Sequence, residues 1–202
     1  MNEENLYGKT YFNSREDPRR EIAYAQDADK IRAREPGPIL LDFGGGQGEF
    51  GNHLGDFNYY CFDPYGRRDE NIPDALDVFV LRGVLQHLPD VVKTIKLGYD
   101  YLKPGGLIAI LATPDLDSIG YRRFSTLPAL DPPRNWTPMG RYVLTNILER
   151  IGYTGIELHH PYGKPYAQPV KNFFNFLIGK PDAFPGNMMD CFARKGVTQW
   201  TL

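Results

Sequence analysis

The chain has 202 residues, 42% hydrophobic and 24% charged, with a net charge of −2 and a pI near 6.1. That length suits one domain with a real core and hardly suits two. The near-neutral balance excludes a global basic field for gripping a nucleic-acid backbone, and every apolar run is far short of the ~20 residues that span a bilayer.

No internal repeat or low-complexity tract is visible. The N-terminus, "MNEENLYGKTYF", is polar and partly acidic, unlike a signal peptide, so a cytoplasmic protein is expected. Asp17 to Arg34 is rich in helix formers, with Ile22, Ala25, Ala28 and Ile31 near helical spacing, and Pro36-Gly37-Pro38 stops it. Residues 1–36 read as an N-terminal helical cap on a single domain covering 1–202. "ILLDF" from Ile39 is a short buried strand, "NYYCFD" ending at Asp63 a second, and "LDVFVLRGVL" contains a third centred on Val78 to Leu81. Leu88, Val92, Ile95, Tyr99 and Leu102 then share one face of a helix expected from about Pro89 to Leu102. "KPGG" (Lys103 to Gly106) ends that helix, and "LIAILA" follows as a strongly apolar strand.

Thr137 is the expected N-cap of the next helix, with Pro138 at its first position, Met139, Val143, Ile147 and Ile151 at helical intervals, and Gly152 as C-cap. "GIELHH" and "MMDCFARK" read as the last two strands. Strands alternating with helices predict an α/β fold with a doubly wound, mostly parallel sheet. Residues 115–136 and 161–187 lack regular patterning. Each follows a strand, on the side where open α/β sheets bind ligands, so both are expected to be substrate-side insertions. Cys61 and Cys191 lie in apolar strand-like runs without Cys-x-x-Cys spacing and read as buried free thiols of a reducing compartment.

The stretch "ILLDFGGGQGEFG" carries the chemistry. Glycines behind a strand let a backbone pass close to a ligand and aim helix N-terminal amides at it. Two frames fit. Gly46-x-Gly48-x-x-Gly51 matches the dinucleotide fingerprint but begins several residues beyond Leu41. Asp42-x-Gly44-x-Gly46-x-Gly48 begins at the strand end, where an acid meets the loop. Asp63 closes the next strand, and a carboxylate there accepts ribose hydroxyls in either frame.

The second frame resembles motif I of the class I S-adenosylmethionine-dependent methyltransferases. "LDVFVLRGVLQHLPDVVKTIKLGYDYLKPGGLIAIL" is similar to the fourth strand, following helix and "LKPGG-hydrophobic" segment of that superfamily, in the branch that modifies quinones and other small metabolites. "DPPRNWTPMGRYVLTNILERIGY" resembles the branch's "DPPRH…FTP…L…LL…GF" segment. The resemblance covers most of Gly37 to Tyr153. It implies a Rossmann-like methyltransferase sheet with an antiparallel last strand, and S-adenosylmethionine as cofactor. Only a short stretch separates Asp63 from Asp77, so the third, edge strand is expected to be shortened or missing. Asn135 stands where the branch often has His.

The resemblance also implies roles for residues. Asp42 would lie near the cofactor's amino group, with Gly44, Gly45, Gly46 and Gly48 along its amino-acid moiety. Asp63, followed by Pro64, would hold the ribose, Leu81 and Arg82 would border the cofactor at the third strand end, and Tyr11 with Phe12 would shield the sulfonium. Among the histidines, His87 at the mouth of the expected site is the first candidate base, with His159 and His160 as the alternatives. His159 and His160 end a later strand, and His159 is a candidate substrate contact together with Tyr121, Arg122, Arg134 and Trp136. No His/Cys/Asp cluster has metal spacing, so a metal-independent enzyme is expected. The expected partner is a small-molecule acceptor, a saccharide or secondary metabolite methylated on oxygen. The competing readings are an NAD(P)-dependent oxidoreductase or epimerase, which lacks a Tyr-x-x-x-Lys pair and has no use for "LKPGG", and a non-catalytic binding partner with this fold.

Overall fold

The computed structural model describes residues 18–130, 134–161, 169–180 and 187–197. Six strands form one sheet: β1 (Ile39–Phe43), β2 (Asn58–Phe62), β3 (Leu76–Arg82), β4 (Leu102–Pro114), β5 (Tyr153–His159) and β6 (Met188–Lys195), in the order β2-β1-β3-β4-β6-β5. β1 pairs in parallel with β2 and β3, and β3 with β4, whereas β6 is antiparallel to β4 and β5. Strands β1 to β5 therefore point the same way, and their C-terminal ends share one edge. The glycine loop, the His87 turn and the described parts of both unpatterned connections start from that edge.

Among the described residues, helices α1 (Pro18–Arg32), α2 (Val91–Tyr101), α3 (Ile119–Phe124), α4 (Arg141–Ile151) and α5 (Pro169–Leu177) accompany the sheet. Alternate strand residues face opposite sides, and both sides are covered, so the strands read as continuous apolar runs. On one face Tyr24, Ala28 and Ile31 of α1 pack on Leu40, Val78, Val80, Leu107, Ala109 and Phe192. On the other, Val91, Ile95, Leu144 and Leu148 of α2 and α4 pack on Leu41, Phe79, Leu81, Ile108, Ile110 and Cys191. Both cysteines are buried free thiols, each pushed up to about 12 by burial. Among the described residues no helix is long and apolar enough to cross a membrane.

As expected from the short Asp63–Asp77 stretch, the third, edge strand is missing among the described residues. Between β2 and β3 there is only a single antiparallel bridge, Phe62 to Arg68. Three local expectations need correction. The "KPGG" turn lies inside β4, which starts at Leu102 opposite Leu76, and the register slips before Val78 meets Leu107. Gly105, at φ +77, sits in that bulge. Helix α2 begins at Val91, with Asp90 accepting the Lys93 N–H at 2.9 Å. Helix α4 begins at Arg141, not at Pro138. Its first amides are satisfied from far away in the sequence: Asp115 accepts the Arg141 N–H at 3.1 Å and Asp117 the Tyr142 N–H at 3.2 Å. Thr137 instead donates its hydroxyl to the Leu88 carbonyl at 2.6 Å, while Met139 bridges Asp115 in parallel. Gly152 ends α4 at φ +111, as the sequence predicts. The stretches 115–136 and 161–187 do contain helices, α3 and α5. Tyr11, Phe12 and Asp17 lie outside the described residues.

Candidate active site

The loop leaving β1 turns on alternate glycines. Gly44, Gly46 and Gly48 have φ of +79°, +64° and +85°, a region in which side-chain-bearing residues are strained. A Cβ on Gly44 would run into Val84, and one on Gly45 into the Asp42 carboxylate. The loop is thus sandwiched between the β3 connection and its own strand. The Gly44 N–H donates to the Phe62 carbonyl at 2.7 Å and the Gly46 N–H to Asp63 Oδ2 at 2.9 Å. A short 3-10 helix (Glu49–His53) follows, not a long α-helix. The turn-forming glycines are those of the frame that starts at Asp42. Gly51, which closes the competing frame, has its Cβ position filled by the Tyr59 ring.

Beneath the loop Asp42 is 1% exposed. Its Oδ2 accepts the Tyr59 hydroxyl at 2.8 Å, and its Oδ1 is buried without a partner among the described residues. Burial pushes the carboxyl up to about 6, against the opposing pull of Tyr59 and the Arg82 charge. An unsatisfied buried carboxylate oxygen under a glycine turn fits the ammonium of an amino-acid moiety. Asp63 accepts from Gly46 N–H with one oxygen and from Tyr65 N–H at 2.8 Å with the other. Each oxygen keeps a second lone pair, so the carboxylate can still accept a diol while it ties β2 to the loop.

A strap over the loop was not foreseen from sequence. After Pro64 the chain folds back so that the Arg67 N–H donates to the Gly46 carbonyl at 2.7 Å and the Asp63 N–H to the Arg67 carbonyl at 2.8 Å. Gly66 lies directly on the Gly46 carbonyl, where a Cβ has no room. Arg67 lies beside Gly48 and is held by Asp69 at 2.7 Å. The strap takes the residues that a third strand would otherwise use.

Of the β3 residues, Leu81 is fully buried in the core, leaving only its backbone to border a ligand. Arg82 turns to the α1 face, with Nε 2.8 Å from Asp27 Oδ2 and its guanidinium 4.3 Å from the Tyr24 ring centroid. Asp27 in turn pairs with Lys30 at 2.7 Å, and Lys30 with Asp190 at 2.6 Å. Asp190 accepts the N–H of Ala112, the residue at φ +53° where β4 slips against β6. Arg82 therefore belongs to an ion chain that braces the sheet. Among the described residues nothing lies within 4 Å of the Cβ position of Gly83, at φ +63°, so that side of the β3 end is open.

His87 ends a 3-10 turn beyond that opening. Its Nδ1 is 3.0 Å from the Arg134 carbonyl, which can only accept, so the neutral ring carries its hydrogen on Nδ1. The lone pair on Nε2 then accepts from the Gln86 amide at 3.2 Å, whose nitrogen also faces the Gly83 carbonyl. The Gln86 carbonyl takes N–H bonds from Trp136 and Thr137, sewing residues 134–137 to the His87 turn. Arg134, Trp136 and His87 are thus brought together. Tyr121 and Arg122 stand on α3, whose Phe124 meets Phe176 of α5 edge-on at 5.6 Å, joining the two insertions. His159 is placed elsewhere. It pairs with Arg34 and Glu157 at the sheet margin, over Phe192. Its neighbour His160 approaches the buried Asp115 at 3.3 Å, which also pairs with Arg141 at 2.8 Å.

A family model described as a methyltransferase domain matches residues 14–158. No curated protein matches the chain significantly. Among solved structures, a SAM-dependent methyltransferase from Archaeoglobus fulgidus superposes with a TM-score of 0.59 at 19% identity, over 87% of this chain and 94% of that one. A SAM-dependent methyltransferase from Thermotoga maritima gives 0.56 at 13% identity, over 85% and 89%. The phosphoethanolamine N-methyltransferase 2 of Haemonchus contortus, in complex with S-adenosyl-L-methionine, gives 0.55 at 15% identity, over 85% and 52%. At these identities the structural likeness is one of fold.

Proposed function

The chain belongs to the methyltransferase domain family, as an enzyme dependent on S-adenosylmethionine, and on that premise we propose that it methylates an oxygen of a small polar acceptor, a saccharide or secondary metabolite. The cofactor supplies an electrophilic methyl group on a positively charged sulfur that leaves as a neutral thioether. The chain's own part is to hold the nucleoside and the amino-acid end, to align the acceptor in line with the methyl, and to receive a proton. Alignment alone supplies several kcal/mol. Asp42 and the glycine turn take the amino-acid end, and Asp63 the ribose.

The observation that carries the oxygen reading is His87. A hydroxyl acceptor must lose a proton as its oxygen bonds to carbon, whereas an amine can arrive deprotonated. His87 has its Nδ1 fixed as donor by the Arg134 carbonyl, so Nε2 is the basic atom; it accepts from the Gln86 amide at 3.2 Å and serves as base when an acceptor hydroxyl replaces that amide as donor. Trp136 is more than half exposed, and Arg122 is exposed on α3, which suits a polar acceptor. The Haemonchus relative acts on nitrogen, so the fold does not choose the acceptor atom. Release of S-adenosylhomocysteine is the assay, run against panels of saccharides, phenols and amines, with the methyl position read by mass spectrometry and NMR. An O-methyl product whose formation depends on His87 supports the proposal. An N-methyl product, insensitive to His87, contradicts it.

A further inference from the structure

Helix α5 is inside out. Its buried and half-buried positions are Asn172, Asn175 and Phe176, whereas Val170, Phe173, Phe174, Leu177 and the following Ile178 are between 52% and 71% exposed. Positions 170, 173, 174 and 177 repeat at i, i+3, i+4 and i+7, so the apolar side chains form one stripe along the outer face. A surface helix of a water-soluble domain turns such a stripe inward. Contiguous exposed apolar surface of this kind marks an interaction site.

The charges around the stripe select the partner. Residues 161–180 contain no Asp or Glu, nor do residues 118–130 that surround α3. Lys171 and Lys180 are exposed at the two ends of the stripe. Arg122 and Arg123 are exposed on α3, and Arg123 stacks at 4.8 Å on Phe176 of α5 itself. Phenylalanines and aliphatics on one face, basic residues at the margin and no acid within residues 161–180 form the pattern of a helix that lies in a bilayer interface. A second copy of this chain docking by the same face would bring the two basic margins together, which disfavours it.

We propose that the outer face of α5 docks on an anionic membrane surface. α5 belongs to the β5–β6 connection, at the same sheet edge as the glycine loop and His87. Docking there presents the acceptor side of the site to the bilayer and selects an acceptor with a polar head on an apolar tail. That last step rests on the methyl-transfer reading above. The docking itself does not, and its test contains no transfer reaction.

The test is co-sedimentation of the full-length protein with vesicles of phosphatidylcholine alone and of phosphatidylcholine mixed with phosphatidylglycerol. The protein is expected to sediment with the anionic vesicles, to stay in solution with the neutral ones, and to be released by salt. A Phe173→Ser, Phe174→Ser, Leu177→Ser variant should lose at least about tenfold in partition coefficient, as should Lys171→Glu with Lys180→Glu. All replaced side chains are exposed, so circular dichroism melts and S-adenosylhomocysteine binding should match the parent. Protein that remains in solution with anionic vesicles overturns the proposal. So does unchanged partition of the serine variant, or equal binding to neutral vesicles. A parent dimer that the serine variant converts to monomer in light scattering assigns the face to a second copy and also overturns it.

Discussion

Replacing Asp42 by Asn separates what the buried carboxylate costs the fold from what it does for a ligand. Burial holds its carboxyl at about 6, some two units above the ordinary value. At ~1.36 kcal/mol per unit, ionisation of Asp42 destabilises the native state by about 3 kcal/mol. The folded value lies above the unfolded one, so the native state binds the extra proton. Stability falls as the pH rises from about 4 to about 6, and the whole penalty stands above that window. Asparagine carries no charge, and its oxygen can still accept from Tyr59. Its amide nitrogen then takes the place of the unpartnered oxygen, and a buried donor without acceptor costs ~1–2 kcal/mol. The parent's protonated carboxyl carries the same unpartnered donor, so without cofactor the variant should match the parent near pH ~4 and exceed it by about 2–3 kcal/mol near pH ~8. Urea unfolding of both proteins across that range reads the difference directly. The same variant should bind S-adenosylhomocysteine more weakly by ~1.5–3 kcal/mol, since a charged acceptor is lost. A stability difference that does not change with pH would refute the assignment of a buried, proton-linked carboxylate at this position.

The strap predicts that Gly66→Ala, with no room over the Gly46 carbonyl, loses ~1–3 kcal/mol in melts and weakens cofactor binding as well. His87→Ala should cut turnover ~10²–10⁴-fold with little change in cofactor affinity. A fully active Ala variant in the transfer assay removes His87 from the mechanism. Asp115→Ala leaves Arg141 and His160 without their carboxylate and α4 without its remote cap, so a loss of ~2–4 kcal/mol in urea unfolding is expected.

Much of the sheet was legible because parallel strands covered on both faces must be short apolar runs, and "ILLDF", "VFVL" and "LIAIL" are such runs. The end of α4 was legible for a local reason, since Gly152 takes a left-handed cap that other residues resist. Its start was not, because the caps are Asp115 and Asp117 of another connection, and Thr137 was drawn to the Leu88 carbonyl. The alternating glycines marked the loop, and spacing pointed to Asp63. Nothing in "PYGR" says that Gly66 and Arg67 fold back on Gly46, since that contact is set by how β2 registers on β1. Arg82 looked available at a strand end, yet Asp27, 55 residues earlier, holds it on the α1 face. Likewise, two adjacent histidines ending β5 have opposite surroundings. His159, the last residue of β5, meets Arg34, while His160 just beyond the strand meets Asp115, and only the sheet's position says which face matters.

Calorimetric titration of the parent protein and of Asp63→Ala with S-adenosylhomocysteine tests the central claim most directly. The account predicts one site per chain for the parent and binding weaker by ~1.5–3 kcal/mol for the variant, with the folded state confirmed by circular dichroism. A parent that takes up no S-adenosylhomocysteine at millimolar concentration, or a folded Asp63→Ala variant that binds it unchanged, would contradict the account.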